Sequence, residues 1–158
     1  MNKPKVLFVC MGNICRSPTA HAVFRKLTRE HKIDVEVDSA GTEGYHKGAR
    51  PDGRSVQVGI ARGYTFEKIK SRPVEKRDLD YFDYILAMDQ FNIKELHKIA
   101  SEEHKDKIKL FLNFSNEYEE LEVPDPYYGG EKGFERVLDL IESASKGLLE
   151  ELQKQVTH

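Results

Sequence analysis

The sequence predicts an α/β protein whose parallel sheet carries helices on both faces, and three features carry that prediction. Short apolar runs of strand length alternate with segments whose apolar residues recur at helical spacing. The first run, Lys5-Val-Leu-Phe-Val-Cys10, is continuously apolar after its lysine, as a strand buried on both faces is. Strands joined through helices run parallel, and right-handed crossovers then require helices on both sides of the sheet.

The elements follow in order. After the first strand, Gly12 and Asn13 break the run. Ser17-Pro18 reads as a helix cap followed by the favoured first helical residue. Ala20, Val23, Phe24 and Leu27 then form the face packed against the sheet. Ile33, Val35 and Val37 alternate with charged residues, which fits a strand nearer the sheet edge. Residues 41–54 hold four glycines and Pro51 and form a surface loop. Asp52 can cap a short helix carrying Val56 and Ile60, with Gly63 ending it. Residues 82–88 read as a third strand, and Asp89 caps a helix bearing Ile93, Leu96 and Ala100. Residues 108–112 form a fourth strand, and residues 123–130, with two prolines and two glycines, a second loop. The last helix starts near Gly133 and keeps Phe134, Val137, Leu138, Ile141, Ala144, Leu148 and Leu152 on one side.

Composition narrows the function. A chain of 158 residues is the size of one compact domain, here residues 1–158. A net charge of −2 offers no basic footprint for nucleic acid. The apolar stretch at residues 6–11 is far short of the roughly 18 residues that a membrane span needs, and it lacks the features of a signal peptide. Two cysteines build neither a disulfide framework nor, without histidines, a zinc site. The six histidines lack metal-ligand spacing and are read as solvated. The expectation is a cytoplasmic protein with no metal.

In open α/β sheets ligands bind beyond the carboxyl ends of the strands, so the loop after the first strand is where chemistry is expected. It reads Cys10-Met11-Gly12-Asn13-Ile14-Cys15-Arg16-Ser17. Gly12 allows positive φ, and Asn13 tolerates the same region. A loop turning this sharply gathers amide N–H groups into an anion nest, and the helix behind it adds its own N–H groups and dipole. Arg16 supplies a planar cation suited to two phosphate oxygens. Cys10 sits where this field converges, which favours the nucleophilic thiolate. The Ser17 hydroxyl is placed to donate to that sulfur. A phosphate monoester held by the amides and Arg16 would meet Cys10 in line and leave a phosphocysteine. The alternative is an ordinary buried thiol at a strand end. The pattern is not Gly-x4-Gly-Lys-Ser/Thr, so no nucleotide-binding loop is implied.

Val9-Cys10-Met11-Gly12-Asn13-Ile14-Cys15-Arg16-Ser17-Pro18 resembles the signature loop of the low-molecular-weight protein tyrosine phosphatases. Asp38-Ser39-Ala40-Gly41-Thr42, residues 82–89 and Pro124-Asp125-Pro126-Tyr127-Tyr128-Gly129 are similar to three further stretches of that family, in the same order. The resemblance implies a four-stranded parallel sheet of order 2-1-3-4 in a three-layer domain. It also implies hydrolysis of phosphotyrosine without metal or cofactor. Phosphotyrosine proteins would be the partners, a cognate tyrosine kinase another candidate, and the protein a monomer with weak dimerisation open.

The same resemblance points to Asp125 as general acid and base, held between Pro124 and Pro126. Met11, Gly12, Asn13, Ile14, Cys15 and Ser17 would form the substrate cup, and Tyr45, Tyr127 and Tyr128 the walls of a slot for a flat ring. Asn13 and Ser39 resemble residues that brace the loop, whereas Asp89 reads as a helix cap only. Cys15 lies five positions from Cys10 and could trap its sulfenic acid as a disulfide. Two departures stand out. No histidine occurs in Gly63-Tyr64-Thr65-Phe66-Glu67-Lys68, where many relatives carry one that supports the bracing, and His21 stands where Glu is common.

Three rival functions remain at this point. A thioredoxin-coupled arsenate reductase needs a further cysteine pair beyond Cys15. Protein-arginine phosphatases on this scaffold carry Thr at the position of Ile14. A phosphocysteine carrier would share the thiol loop but needs neither Arg16 nor Asp125.

Overall fold

The computed structural model describes residues 3–44, 46–128 and 130–156. The sheet has four parallel strands: β1 (Lys5–Cys10), β2 (Glu36–Gly41), β3 (Tyr84–Ala87) and β4 (Ile108–Leu110). Their order is β2-β1-β3-β4, as the resemblance implies. Among the described residues five α-helices accompany them: α1 (Arg16–Glu30), α2 (Gly53–Ala61), α3 (Lys76–Tyr81), α4 (Gln90–Ile99) and α5 (Gly130–Val156). Short 3₁₀ turns occupy Glu102–Lys107, Phe111–Phe114 and Pro126–Tyr128.

Alternation along β1 divides the interior into two cores. Val6, Phe8 and Cys10 face α1 and α5, which contribute Phe24, Leu138, Ile141 and Leu148. Leu7 and Val9 face the opposite side, where Leu79 of α3 and Leu96 of α4 cover them. Both faces of β1 are therefore dry, and Val6 to Val9 have no measurable exposure. Phe8 anchors the first core through edge-on contacts with Phe24 and Phe111, at 5.8 and 4.9 Å between ring centres.

Several element boundaries differ from the sequence reading, each for a local reason. β2 begins at Glu36, whose N–H reaches the Pro4 carbonyl at 2.9 Å, and not at Ile33. The alternation of Ile33, Val35 and Val37 instead packs a turn and the strand entry against the first core. Helix α1 starts at Arg16 with Cys15 at its cap, so Ser17 is the second helical residue and caps nothing. β3 and β4 are shorter than their apolar runs, because Met88 already leads into α4 and Phe111-Leu112 turn into a 3₁₀ helix. α3 escaped the sequence reading because it spans six residues and buries one apolar side chain, Leu79; the Asp78 carboxylate holds its start through the Glu75 N–H at 2.7 Å.

Helix α5 begins at Gly130, three residues before the expected start. Gly133 thus lies inside the first turn, and a Cβ there would stand 2.7 Å from the Pro126 carbonyl oxygen. That close approach sets the Asp125 loop directly on the helix. No helix among the described residues is long and apolar enough to cross a membrane.

Candidate active site

The loop from Cys10 to Arg16 leaves the carboxyl end of the central strand β1 and runs straight into α1. Five of its carbonyl groups are turned outward and satisfied. The Cys10 carbonyl accepts from Thr42 N–H, Met11 from Glu43 N–H, and Ile14 from Asp52 N–H, at 2.7–2.9 Å. The Gly12 carbonyl accepts the Ser71 hydroxyl at 2.9 Å, and Cys15 the Thr19 hydroxyl at 2.8 Å. By contrast, no backbone N–H from Met11 to Ser17 donates to an acceptor among the described residues. A peptide plane whose C=O faces out presents its N–H inward, so the loop forms a cup of unspent donors at a helix N-terminus.

The turn is made by Asn13, at φ 55°, and not by Gly12, which stays out of the left-handed region. Gly12 matters instead through contact, since a Cβ there would press on the His46 ring at 3.1 Å. Gly41 of β2 is a second such contact, its Cβ position lying 2.7 Å from the Met11 carbonyl oxygen.

Asn13 is fixed from both ends. Its Oδ1 accepts the Arg72 N–H at 3.0 Å, which orients the amide so that Nδ2 donates to Ser17 Oγ at 2.8 Å. With an oxygen lone pair used by Asn13, the Ser17 hydroxyl hydrogen goes to Cys10 Sγ, 3.0 Å away, ahead of the Ala40 carbonyl at 3.5 Å. Cys10, Asn13 and Ser17 are all buried.

Arg16 is buried too. Its Nη1 donates to Asp89 Oδ2 at 2.7 Å and to the Val123 carbonyl at 3.0 Å. Burial opposes its charge, but the Cys10 sulfur and the Asp89 carboxylate outweigh that and hold its pKa above the ordinary value. Nε and Nη2 make no protein hydrogen bond among the described residues, leaving one edge of the fork for a ligand. Asp89 does cap α4, accepting the Asn92 N–H at 2.8 Å, but it is not a cap only: its other oxygen carries the Arg16 ion pair.

Cys10, Met11, Gly12, Ile14, Cys15 and Arg16 line one cavity of about 280 Å³, with His46, Asp125, Pro126 and Tyr127 opposite them. The structure therefore brings Asp125 to the mouth of the cup. Asp125 Oδ1 accepts the Tyr127 N–H at 3.0 Å, a short turn that aims the carboxyl from the loop. Tyr127 stands at the rim, held by two bonds. Its hydroxyl donates to Asp52 Oδ2 at 3.0 Å and accepts from Cys15 Sγ at 3.4 Å. Burial pushes the Cys15 thiol up to about 11; the Tyr127 hydrogen bond opposes that shift and the Asp52 charge adds to it. The expected wall residue Tyr45 and the Tyr128 side chain lie outside the described residues.

Ser39 makes no hydrogen bond to the loop among the described residues. Its hydroxyl meets His21 Nδ1 at 2.9 Å and its N–H the Asp38 carboxylate at 2.8 Å. His21 is buried, contrary to the solvated reading, and burial with the charges of Arg25 and Arg72 lowers its pKa to about 3. His104 is buried as well; its Nδ1 accepts the Ser101 N–H, so the Nε2 hydrogen goes to Asp80 at 2.6 Å. Asp80, Glu103 and His104 have metal-ligand proximity, but this ring is already spent at both nitrogens.

The sequence reading missed the outer clamp. Ser71 and Arg72 hold the loop from behind through Gly12 and Asn13, and the Arg72 guanidinium is itself held by Asp38 and Asp78 at 3.0–3.3 Å. No local sequence signal marks this pair.

The family model for low molecular weight phosphotyrosine protein phosphatases matches residues 5–158. The low molecular weight protein-tyrosine-phosphatase YfkJ of Bacillus subtilis is 41% identical over 95% of this chain and 96% of its own length. The crystal structure of a protein tyrosine phosphatase from Entamoeba histolytica, with Hepes in its active site, superposes with a TM-score of 0.92 at 47% identity, covering 97% of this chain and 99% of that one. A Drosophila arginine phosphatase superposes with a TM-score of 0.86 at 33% identity over 94% and 97% of the two chains. With a match of this extent, the chain belongs to the low molecular weight phosphotyrosine protein phosphatase family.

Proposed function

We propose that this member of a phosphatase family hydrolyses phosphotyrosine in proteins through a covalent intermediate on Cys10. The dianion sits in the cup, its oxygens on the inward N–H groups and on the open edge of Arg16. Cys10 attacks phosphorus as the thiolate, and the bond to the tyrosine oxygen breaks. Asp125 gives its proton to that oxygen, so tyrosine leaves as the neutral phenol. The Asp125 carboxylate then takes a proton from water, which attacks the phosphocysteine, releases inorganic phosphate and restores the thiolate. The Ser17 hydroxyl receives the charge on sulfur at both stages.

One observation carries this reading: five loop carbonyls are bonded outward while the amides between them donate to no acceptor among the described residues. A wall at Tyr127 supports an aromatic substrate, since a flat ring reaches past it whereas a serine stem is short. Phosphoarginine is the second reading, favoured by the likeness to the Drosophila arginine phosphatase. Against it, Ile14 lines the cavity and offers no hydroxyl to a guanidinium.

Matched peptides bearing phosphotyrosine, phosphoserine and phosphoarginine test the proposal with wild type, Cys10→Ser and Asp125→Ala. Phosphotyrosine should be turned over fastest, and Cys10→Ser should be inactive. Faster release from phosphoarginine, or retained turnover by Cys10→Ser, would overturn it.

A further inference from the structure

A second and larger cavity adjoins the cup. It measures about 760 Å³ against about 280 Å³, and Pro126 and Tyr127 line both. Its remaining wall comes from Arg54, Gln57, Val58 and Ala61 on α2 and from Lys132, Phe134 and Glu135 at the start of α5. None of the steps of phosphate transfer uses this space, yet its size is that of a ligand pocket.

Its chemistry is apolar below and cationic at the rim. The Arg54 guanidinium lies over the rings of Tyr127 and Phe134, at 4.6 and 4.8 Å from their centres. Asp52 holds it from beneath through Nε and Nη2. That carboxylate is sunk at 15% exposure, whereas the arginine side chain is 57% exposed, so a ligand meets the cation first. The carboxylate on the wall, Glu135, is bound to Arg62 at 2.6 Å, a guanidinium it shares with Asp139 and Glu142, so its charge is only partly offset. Lys132 adds a further exposed cation, with no ion pair among the described residues.

We infer that this groove seats the stretch of substrate polypeptide beside the phosphotyrosine and selects an acidic side chain there. The inference rests on the phosphotyrosine reading, because the ring held in the cup brings the neighbouring residues across Tyr127. Charge complementarity then decides which neighbours dock: carboxylates are drawn to Arg54 and Lys132, and lysines are repelled. The methylene groups of a glutamate would lie on Phe134 and Val58.

The test uses the double variant Gln57→Glu, Lys132→Glu, both exposed positions away from the reacting atoms. Two phosphotyrosine peptides, with glutamates or with lysines within three residues on either side, are compared with p-nitrophenyl phosphate. Wild type should favour the glutamate peptide by about fivefold in kcat/KM, expressed in KM, and the variant should lose or invert that preference. Turnover of p-nitrophenyl phosphate should agree between the two proteins within about twofold. Equal use of both peptides by wild type, or a preference that survives the double variant, overturns the groove while leaving the phosphatase reading intact. Wild type inert on all three substrates overturns the phosphotyrosine reading and the groove with it.

Discussion

Nη1 of Arg16 lies 2.7 Å from Oδ2 of Asp89, although the two residues are 73 positions apart. This pair turns the guanidinium so that its other edge stays open in the cup. Asp89→Asn preserves the oxygen that caps α4 but removes the charge that holds Arg16. The expected result is a ten- to hundredfold loss in kcat/KM with an aryl phosphate, the scale of a misplaced binding group. Thermal unfolding within a few degrees of wild type, together with that loss, would separate positioning from collapse of the helix.

Asp125→Ala should lower kcat/KM on phosphotyrosine, which reports the step in which the phenol leaves, by about 10²- to 10⁴-fold, the usual contribution of a general acid. The loss should shrink for p-nitrophenyl phosphate, whose leaving group needs less protonation. An equal loss on both substrates would remove Asp125 from the acid role.

Cys10→Ser should abolish the phosphoenzyme seen by mass spectrometry after acid quenching. Binding of phosphate or vanadate should survive, because the backbone donors and Arg16 remain. A variant that no longer binds either anion would place the sulfur in binding rather than attack.

Cys15 keeps its proton at neutral pH, with burial the leading cause. Mild peroxide should oxidise Cys10 to the sulfenic acid, and Cys15 should then give up its proton and attack that sulfur, water leaving as the disulfide forms. Peptide mapping should find Cys10 joined to Cys15, and thiol treatment should restore activity. Cys15→Ser should instead accumulate the irreversible sulfinic acid at Cys10.

His21 contributes to an acid limit on stability. Its folded pKa of about 3 lies below the ordinary 6.5, so between those values the unfolded chain binds a proton that the folded one does not. Stability is therefore full above pH 6.5 and falls as pH drops, by about 2 kcal/mol at pH 5. Urea unfolding of His21→Asn at pH 7 and pH 5 should show a smaller difference than wild type. An unchanged difference would assign the acid sensitivity elsewhere.

The loop at the end of β1 was legible because its parts are contiguous. A strand, a turn and a helix start follow one another between Lys5 and Pro18, and the backbone itself shapes the cup. Strand count, parallel sense and helices on both faces followed from the same alternation of apolar patterns. Tertiary structure decided what depends on approach between distant segments: Asp89 on Arg16, Ser71 and Arg72 on the loop, Asp52 on Tyr127. Those bonds join residues 59 to 75 positions apart, and hydrogen bonding leaves no periodic trace in a sequence as burial does. Ser17 illustrates the division: its place before a helix suggested a cap, yet folding put its hydroxyl between Asn13 and the Cys10 sulfur.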